Sequence, residues 1–173
     1  MKIRIGFSTT DKYLSKAIRL FTKSDLSHTY IRVNDTFLKA PLIIHSDFSG
    51  AVIQHAEAFD LENKIIQEYE IDDSRLDDIL GKNLWWLLGK KYDWKKVFNH
   101  ALFIILRRWV VRKIRNPTVN PRKLICVDFI LYIFNAAGIT DLPIGYLTPK
   151  DLYDWCEANW ERLGWKKILN QHV

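Results

Sequence analysis

The chain of 173 residues has few of the residues that mark several classes of protein. Its two cysteines, Cys126 and Cys156, are too few for a disulfide scaffold and too far apart for the paired spacing of a zinc site. Seven glycines and five prolines argue against a Gly- and Pro-rich all-β shell. These absences favour a protein that relies on an ordinary packed core, and we expect neither a metal site nor a cofactor.

Long apolar runs are also missing. The most apolar stretch, 97–111, is interrupted by polar side chains and is shorter than the about 20 apolar residues that a spanning helix needs. The first residues, MKIRIGFSTTDKYLSK, lack the apolar core of a signal peptide. We therefore expect a chain that is cytoplasmic at synthesis, with attachment to a membrane surface or delivery with a virion as later options.

What the chain does contain fits one globular domain over 1–173. It is 48% hydrophobic and 27% charged, with a net charge of +6. The segment 107–123 holds seven bases and no acid, which predicts an anionic partner such as a membrane or cell-wall surface. No nucleic-acid-binding motif accompanies this basic segment, so we expect no nucleic acid.

The hydrophobic pattern predicts an α+β fold with a mainly antiparallel sheet packed against helices. Residues 34–35 are typical of a turn, and 148–149 place a capping threonine before a proline at a helix start. The predicted strands cover 2–8, 29–33, 42–45, 51–55 and 65–71, and the predicted helices cover 12–22, 72–88, 97–114, 123–137 and 149–163.

Cys126 is the candidate nucleophile because it lies near the start of an apolar helix. The positive end of a helix lowers a thiol pKa and favours the thiolate; the alternative is a small buried core residue, which we assign to Cys156. His28 begins a predicted strand and is the candidate base. His45 ends another strand and is the candidate third residue, with His55 as its competitor.

Five ordered segments resemble the permuted papain-like amidases related to the NlpC cell-wall peptidases, the group that includes YiiX-like, YaeF-like and phage-borne proteins. The matching segments are IGFSTTDKYLSKAIRLFTKSDLSHTYIRV, IIHSDFSGAVIQ, GKKYDWKKVF, LICVDFILYIFNAAGI and LTPKDLYD. Val127 and Asp128 depart from the Ser and Glu that usually follow the family's cysteine.

The resemblance implies a circularly permuted papain-like fold and a thiol hydrolase with Cys126 as nucleophile, His28 as base and His45 as the orienting residue. It implies a peptide substrate such as an amide of peptidoglycan, or an acyl-containing lipid. Two alternatives stay open: an acyl hydrolase or acyltransferase that binds an anionic membrane through 98–115, and a non-catalytic basic binding module. The candidate substrate-binding or surface-binding residues are Ser27, Asp128, Tyr92, Arg107, Arg108 and Arg112.

Overall fold

The computed structural model describes residues 3–35, 40–95, 97, 123–143 and 147–168. Most of the helix predicted at 97–114, the basic segment and the candidate binding residues Arg107, Arg108 and Arg112 lie outside the described residues. The described strands are β1 Ile3–Thr9, β2 His28–Asp35, β3 Ala40–Asp47, β4 Gly50–His55, β5 Lys64–Ile71, β6 Lys91–Tyr92, β7 Lys123–Leu124 and β8 Lys166–Ile168. The described helices are α1 Tyr13–Thr22, α2 Ala56–Glu62, α3 Ser74–Leu87, α4 Cys126–Ala136 and α5 Pro149–Asn159.

Six strands form one antiparallel sheet in the order β4-β3-β2-β1-β5-β8. The predicted α+β class with a mainly antiparallel sheet is therefore confirmed. β6 and β7 form a separate parallel pair, which places Tyr92 opposite Leu124. This short pairing brings the segment after α3 to the residues just before α4.

Other elements pack on both faces of the sheet, and successive side chains of a strand point to opposite faces. On one side, Ile5, Phe7 and Ile31 join the main hydrophobic core, where α4 packs against β2 and β3. On the other side, Tyr30 and Ile43 pack with α2 in a smaller cluster around Phe59. A side chain on β2 or β3 therefore contacts either the α4 side or the α2 side of the sheet.

Three sequence predictions differ from the structure, and four described elements, α2, β6, β7 and β8, were not predicted. Residues 34–35 extend β2 because they pair with the start of β3, so the predicted turn is wrong. The helix predicted from residue 123 begins at Cys126, since Lys123 and Leu124 pair with β6. The last helix ends at Asn159 and is followed by turns and β8. α2 was not predicted at all, because seven residues are too few for a clear helical period.

Among the described helices, none has a stretch long and apolar enough to cross a lipid bilayer.

Candidate active site

His28 and His45 form a hydrogen-bonded pair at one end of the sheet. Nε2 of His28 lies 2.9 Å from Nδ1 of His45, with the two rings edge to face. Both rings contact Phe59 of α2, at centroid separations of 6.2 Å for His28 and 5.3 Å for His45. The hydrogen bond expected between the candidate base and the candidate third residue is thus present, and the packing restrains both rings.

His55, the competitor for the third position, has a different contact. Its Nδ1 accepts a hydrogen bond from the backbone N–H of Glu57 at 3.3 Å and so caps α2. Its side chain is about half exposed, whereas His45 is 5% exposed. Of the two candidates for the third position, His45 is therefore the one that is hydrogen-bonded to His28.

Cys126 is the first residue of α4, in keeping with its predicted place at a helix start, and is 6% exposed. Its thiol faces the backbone N–H of Thr29, the residue that follows His28. The sulfur belongs to the core cluster on the α4 side of the sheet, whereas the imidazole pair contacts α2. The thiol and the imidazoles therefore approach the first residues of β2 from different sides.

The electrostatics of the thiol differ from the sequence prediction. Burial raises the pKa of Cys126 to about 11, and it outweighs the backbone N–H groups of Thr29 and Val127, which lower that pKa. Backbone N–H groups at the helix start lower the thiol pKa as expected, but desolvation raises it by more. The prediction of a resting thiolate is wrong for this structure, and Cys126 is a neutral thiol at neutral pH.

The imidazoles are neutral as well. Burial, followed by the charge of His45, holds the pKa of His28 well below its usual value. Burial also lowers the pKa of His45, although Asp47 opposes this effect. The site at neutral pH therefore holds a thiol and two uncharged rings. A neutral thiol beside a neutral imidazole must transfer its proton during the reaction to become a nucleophile.

One proton arrangement of the pair makes His28 a base. If Nε2 of His28 donates to Nδ1 of His45, the lone pair on Nδ1 of His28 is free to accept a proton. His45 then carries its own proton on Nε2. This buried atom has no hydrogen-bond partner among the described residues, so its N–H is left for a bound molecule.

Tyr92 and Ser27 were candidate binding residues, and both are buried beside the site. Tyr92 is 7% exposed, and burial, followed by the nearby charge of Cys126, raises the pKa of its hydroxyl. Ser27 is 4% exposed and lies 2.6 Å, oxygen to oxygen, from Ser15 of α1. Thr9 completes this group of hydroxyls, at 3.2 Å from Ser27. These bonds tie α1 to the strand end that carries His28.

Asp128 has a structural position that does not suit surface binding. It is 4% exposed, and its carboxylate accepts a hydrogen bond from the backbone N–H of Ile125 at 3.4 Å. Its burial contradicts the predicted surface binding, and its carboxylate caps α4, whereas substrate binding by Asp128 stays a prediction. Its carboxylate helps to hold Cys126 at the helix start.

Gly50 has a role that sequence reasoning missed. Its φ of +121° is rare for other residues, and an added Cβ would lie 2.1 Å from the carbonyl oxygen of Lys90. That oxygen accepts a hydrogen bond from Ala51, whose own carbonyl accepts one from Gly89. The β3–β4 turn thereby holds the segment that leads to Tyr92. In the sequence, the Ser-Gly pair indicates the turn but not this contact.

Two cavities flank the catalytic candidates. One, of about 120 Å³, is lined by His28 and His45 together with polar side chains such as Gln54 and Asn63. The other, of about 270 Å³, is lined by Cys126 and mostly apolar side chains. Ile18, Ser27 and Tyr92 line both, so the two cavities adjoin at these side chains.

No protein-family model matches the chain, and no curated protein matches it. Among solved structures, the chain is similar to the metalloprotein YiiX from Escherichia coli O157:H7, with 15% sequence identity and a TM-score of 0.55. The match covers 98% of this chain and 87% of that chain. At this level of identity the similarity establishes a YiiX-like fold.

The described donor groups do not fit a metal centre such as the name of the metalloprotein YiiX implies for that protein. In the ranges that the structure describes, no group of three or more His, Cys, Asp or Glu side chains is placed to hold an ion. His28 and His45 each direct a ring nitrogen at the other, which leaves these two atoms unable to share a metal.

Proposed function

We propose that the protein is a cysteine hydrolase that cleaves an amide or ester through a thioester on Cys126. His28 is the base and His45 is the residue that positions it. The observation that carries the proposal is the 2.9 Å hydrogen bond between His28 and His45. The residue after His28 is Thr29, and its backbone N–H faces the Cys126 thiol. A cysteine and two histidines, residue types that cooperate in acyl transfer, therefore all have contacts near the first residues of β2, which supports the proposal.

The neutral resting state determines the first step. The proton of the Cys126 thiol moves to Nδ1 of His28 as the sulfur attacks the acyl carbon, and the electron pair of the C=O bond moves to its oxygen. The imidazolium then returns the proton to the leaving group as the bond to that group breaks. Water attacks the thioester with His28 again as base, which releases the acid and restores the thiol.

The oxyanion needs hydrogen-bond donors aimed at the acyl oxygen. The backbone N–H of Cys126, at the start of α4, is one donor in the proposed mechanism. The hydroxyl of Tyr92 is the second, because Tyr92 and Cys126 line the same cavity. Burial keeps this hydroxyl protonated, so it remains a donor throughout the reaction.

The permuted papain-like assignment is part of the same proposal. The YiiX-like fold supports it, as does the order His28, His45, Cys126 along the chain. Triads are recognised by geometry and roles, and chain order varies among unrelated folds.

The decisive experiment measures hydrolysis of a panel of ester and amide substrates by the wild type, Cys126→Ala and Cys156→Ala. Cys156 is the matched control, since it is also a buried free thiol but lies in the middle of α5. We expect Cys126→Ala to lose hydrolysis and Cys156→Ala to retain it. Rapid quenching followed by mass spectrometry should detect an acyl group on Cys126 of the wild type.

Full activity of the Cys126→Ala protein would contradict the proposal. A folded wild type that hydrolyses nothing in the panel and forms no thioester would favour the non-catalytic binding module instead.

A further inference from the structure

We infer that Ser27 positions the water molecule that hydrolyses the thioester on Cys126. This inference rests on the proposed function, because it concerns the second half of the same reaction. It also gives a definite role to a residue that the sequence predicted only as a candidate for substrate or surface binding.

Ser27 belongs to a closed ring of three buried hydroxyl groups. Its Oγ lies 2.6 Å from Oγ of Ser15 and donates to Oγ1 of Thr9 at 3.2 Å, and the side-chain oxygens of Thr9 and Ser15 are 3.3 Å apart. Each hydroxyl has one proton, so the three bonds form together only when each group donates once. Because Ser27 donates to Thr9, Thr9 must donate to Ser15, and Ser15 must donate to Ser27. The ring therefore has a fixed direction.

The ring leaves Ser27 with one unused acceptor position, because a hydroxyl oxygen can accept two hydrogen bonds. Ser15 accepts from Thr9 and, at 3.1 Å, from the backbone N–H of Thr10, so both of its positions are filled. Among the described residues, Ser27 accepts from Ser15 alone. Ser27 lines both cavities, whereas Ser15 lines the smaller of the two. The unused position of Ser27 is therefore available to a molecule bound where the cavities adjoin.

Hydrolysis of the thioester requires two acceptors for the attacking water. One proton of the water moves to Nδ1 of His28 as the water oxygen bonds to the acyl carbon. The C–S bond then breaks, and the sulfur takes that proton back from His28. The second proton stays on the water oxygen throughout and needs a hydrogen-bond acceptor. Ser27 directly precedes His28, and both side chains line the smaller cavity, so its unused acceptor lies in the cavity that holds the base.

The smaller cavity suits a water molecule better than the larger one. A water molecule takes about 30 Å³ in the liquid and needs about two to four polar partners. The smaller cavity, of about 120 Å³, offers His28 and Ser27 together with Gln54 and Asn63. None of the described residues that line the larger cavity is Lys, Arg, Asp, Glu or His. We therefore expect the water to reach the thioester from the side of His28.

The ring also determines which part Ser27 takes in the reaction. Its proton is donated to Thr9, so the hydroxyl acts as an acceptor for the water and not as a donor to the oxyanion. The ring joins the end of β1, the helix α1 and the residue before β2, and all three side chains are buried. This packing holds the acceptor beside His28 before the water arrives, and such prior orientation favours the attack.

The test separates the two halves of the reaction with p-nitrophenyl acetate. Formation of the thioester releases p-nitrophenolate in a burst, and hydrolysis of the thioester sets the later steady rate. We expect Ser27→Ala to leave the burst rate within about twofold of the wild type and to slow the steady rate about tenfold, since one hydrogen bond to the water is lost. Mass spectrometry at steady state should find a larger acylated fraction of Cys126 in this variant.

Ser15→Ala is the matched control, and Ser27→Thr tests rescue. In Ser15→Ala the ring is broken, but Ser27 still donates to Thr9 and keeps its acceptor, so both rates should stay near those of the wild type. Ser27→Thr keeps the hydroxyl and should restore most of the steady rate. Melting temperatures measure the structural effect of each substitution.

The outcomes separate this inference from the proposed function. Absence of any thioester on Cys126 of the wild type would count against the hydrolase itself. A thioester that Ser27→Ala hydrolyses as fast as the wild type would overturn the role of Ser27 and leave the hydrolase intact. Equal slowing in Ser15→Ala and Ser27→Ala would also overturn it, because the ring would then have a structural role only. If Ser27→Ala fails to fold, the near-isosteric Ser27→Cys, whose sulfur is a weak acceptor, replaces it under the same criteria.

Discussion

Nε2 of His28 and Nδ1 of His45 lie 2.9 Å apart, and burial keeps both rings uncharged at neutral pH. One hydrogen atom lies between these nitrogens. The nitrogen to which it is covalently bonded determines whether Nδ1 of His28 is free to act as a base. The hydrogen bond therefore does more than pack two rings together. When Nε2 of His28 carries that hydrogen, Nδ1 of His28 is the free base on which the proposed chemistry depends.

Substitution of His45 should reveal this positioning role. His45→Ala removes the acceptor, and we expect kcat to fall by about ten- to a hundredfold, since one lost buried hydrogen bond costs about 1–3 kcal/mol. His45→Asn should retain more activity, because its amide oxygen lies near the position of Nδ1. The pH profile supplies a second readout: the charge of His45 lowers the pKa of His28, so the acid limb should move to higher pH in both variants.

A purely structural role for His45 would contradict this prediction. In that case Ala and Asn would lower the melting temperature together, and the acid limb of the remaining activity would stay where it is in the wild type.

The reactivity of Cys126 toward iodoacetamide should increase through strongly alkaline pH. Its thiol pKa is raised from 9.0 to about 11 by burial, and only the thiolate reacts with the reagent. The experiment uses Cys156→Ala so that one thiol is measured, and mass spectrometry follows the rate between pH 6 and pH 11. A rate that reaches its plateau below pH 7 would show a preformed thiolate and contradict the general-base mechanism.

Stability should fall in acid because of the imidazole pair. The pKa of His28 and that of His45 are both below the usual 6.5, so the unfolded chain binds more protons than the folded protein as the pH drops below about 6.5. Stability therefore rises with pH through that window and is fully present above it. Urea unfolding at pH 5, 6 and 7 measures the slope.

His28→Gln should flatten this pH dependence, because it removes one of the two shifted groups. His55→Gln is the control, since His55 caps α2 outside the pair, and the slope should remain that of the wild type. An unchanged slope in His28→Gln would rule out the buried imidazole as its source.

Gly50→Ala should reduce both stability and turnover. The added Cβ would lie 2.1 Å from the carbonyl oxygen of Lys90, and the backbone at φ +121° disfavours any side chain. Strain of this kind costs about 1–3 kcal/mol and would displace the segment that carries Tyr92, the proposed oxyanion donor. Thermal unfolding and steady-state kinetics measure the two effects.

Gly81→Ala provides the control for that substitution. Gly81 lies within α3, and an added Cβ there has nothing within 4 Å. Alanine should stabilise this helix by about 0.5–1 kcal/mol without changing kcat. Equal effects of the two substitutions would remove the special role assigned to the turn at Gly50.

The sequence was informative where local pattern decides structure. Alternation in the first strand, and short runs rich in apolar, β-branched and aromatic residues in the others, located the five longer strands. The start of α4 at Cys126 was close to the predicted one, and the error arose because Lys123–Leu124 pair with a distant strand instead of continuing the helix. α2 was not predicted because its seven residues are too few to show a helical period. It packs against the sheet through Phe59.

By itself, the sequence determined the residue types of the candidate site, their order and the α+β class, since these depend on composition and short-range periodicity. Tertiary structure decided which of His45 and His55 bonds to His28, because the choice depends on how two neighbouring strands align. It also reversed the expected pKa shift of Cys126, since desolvation is set by everything packed around the thiol. The two cavities arise in the same way, from the packing of α1, the sheet and α4 around one strand end.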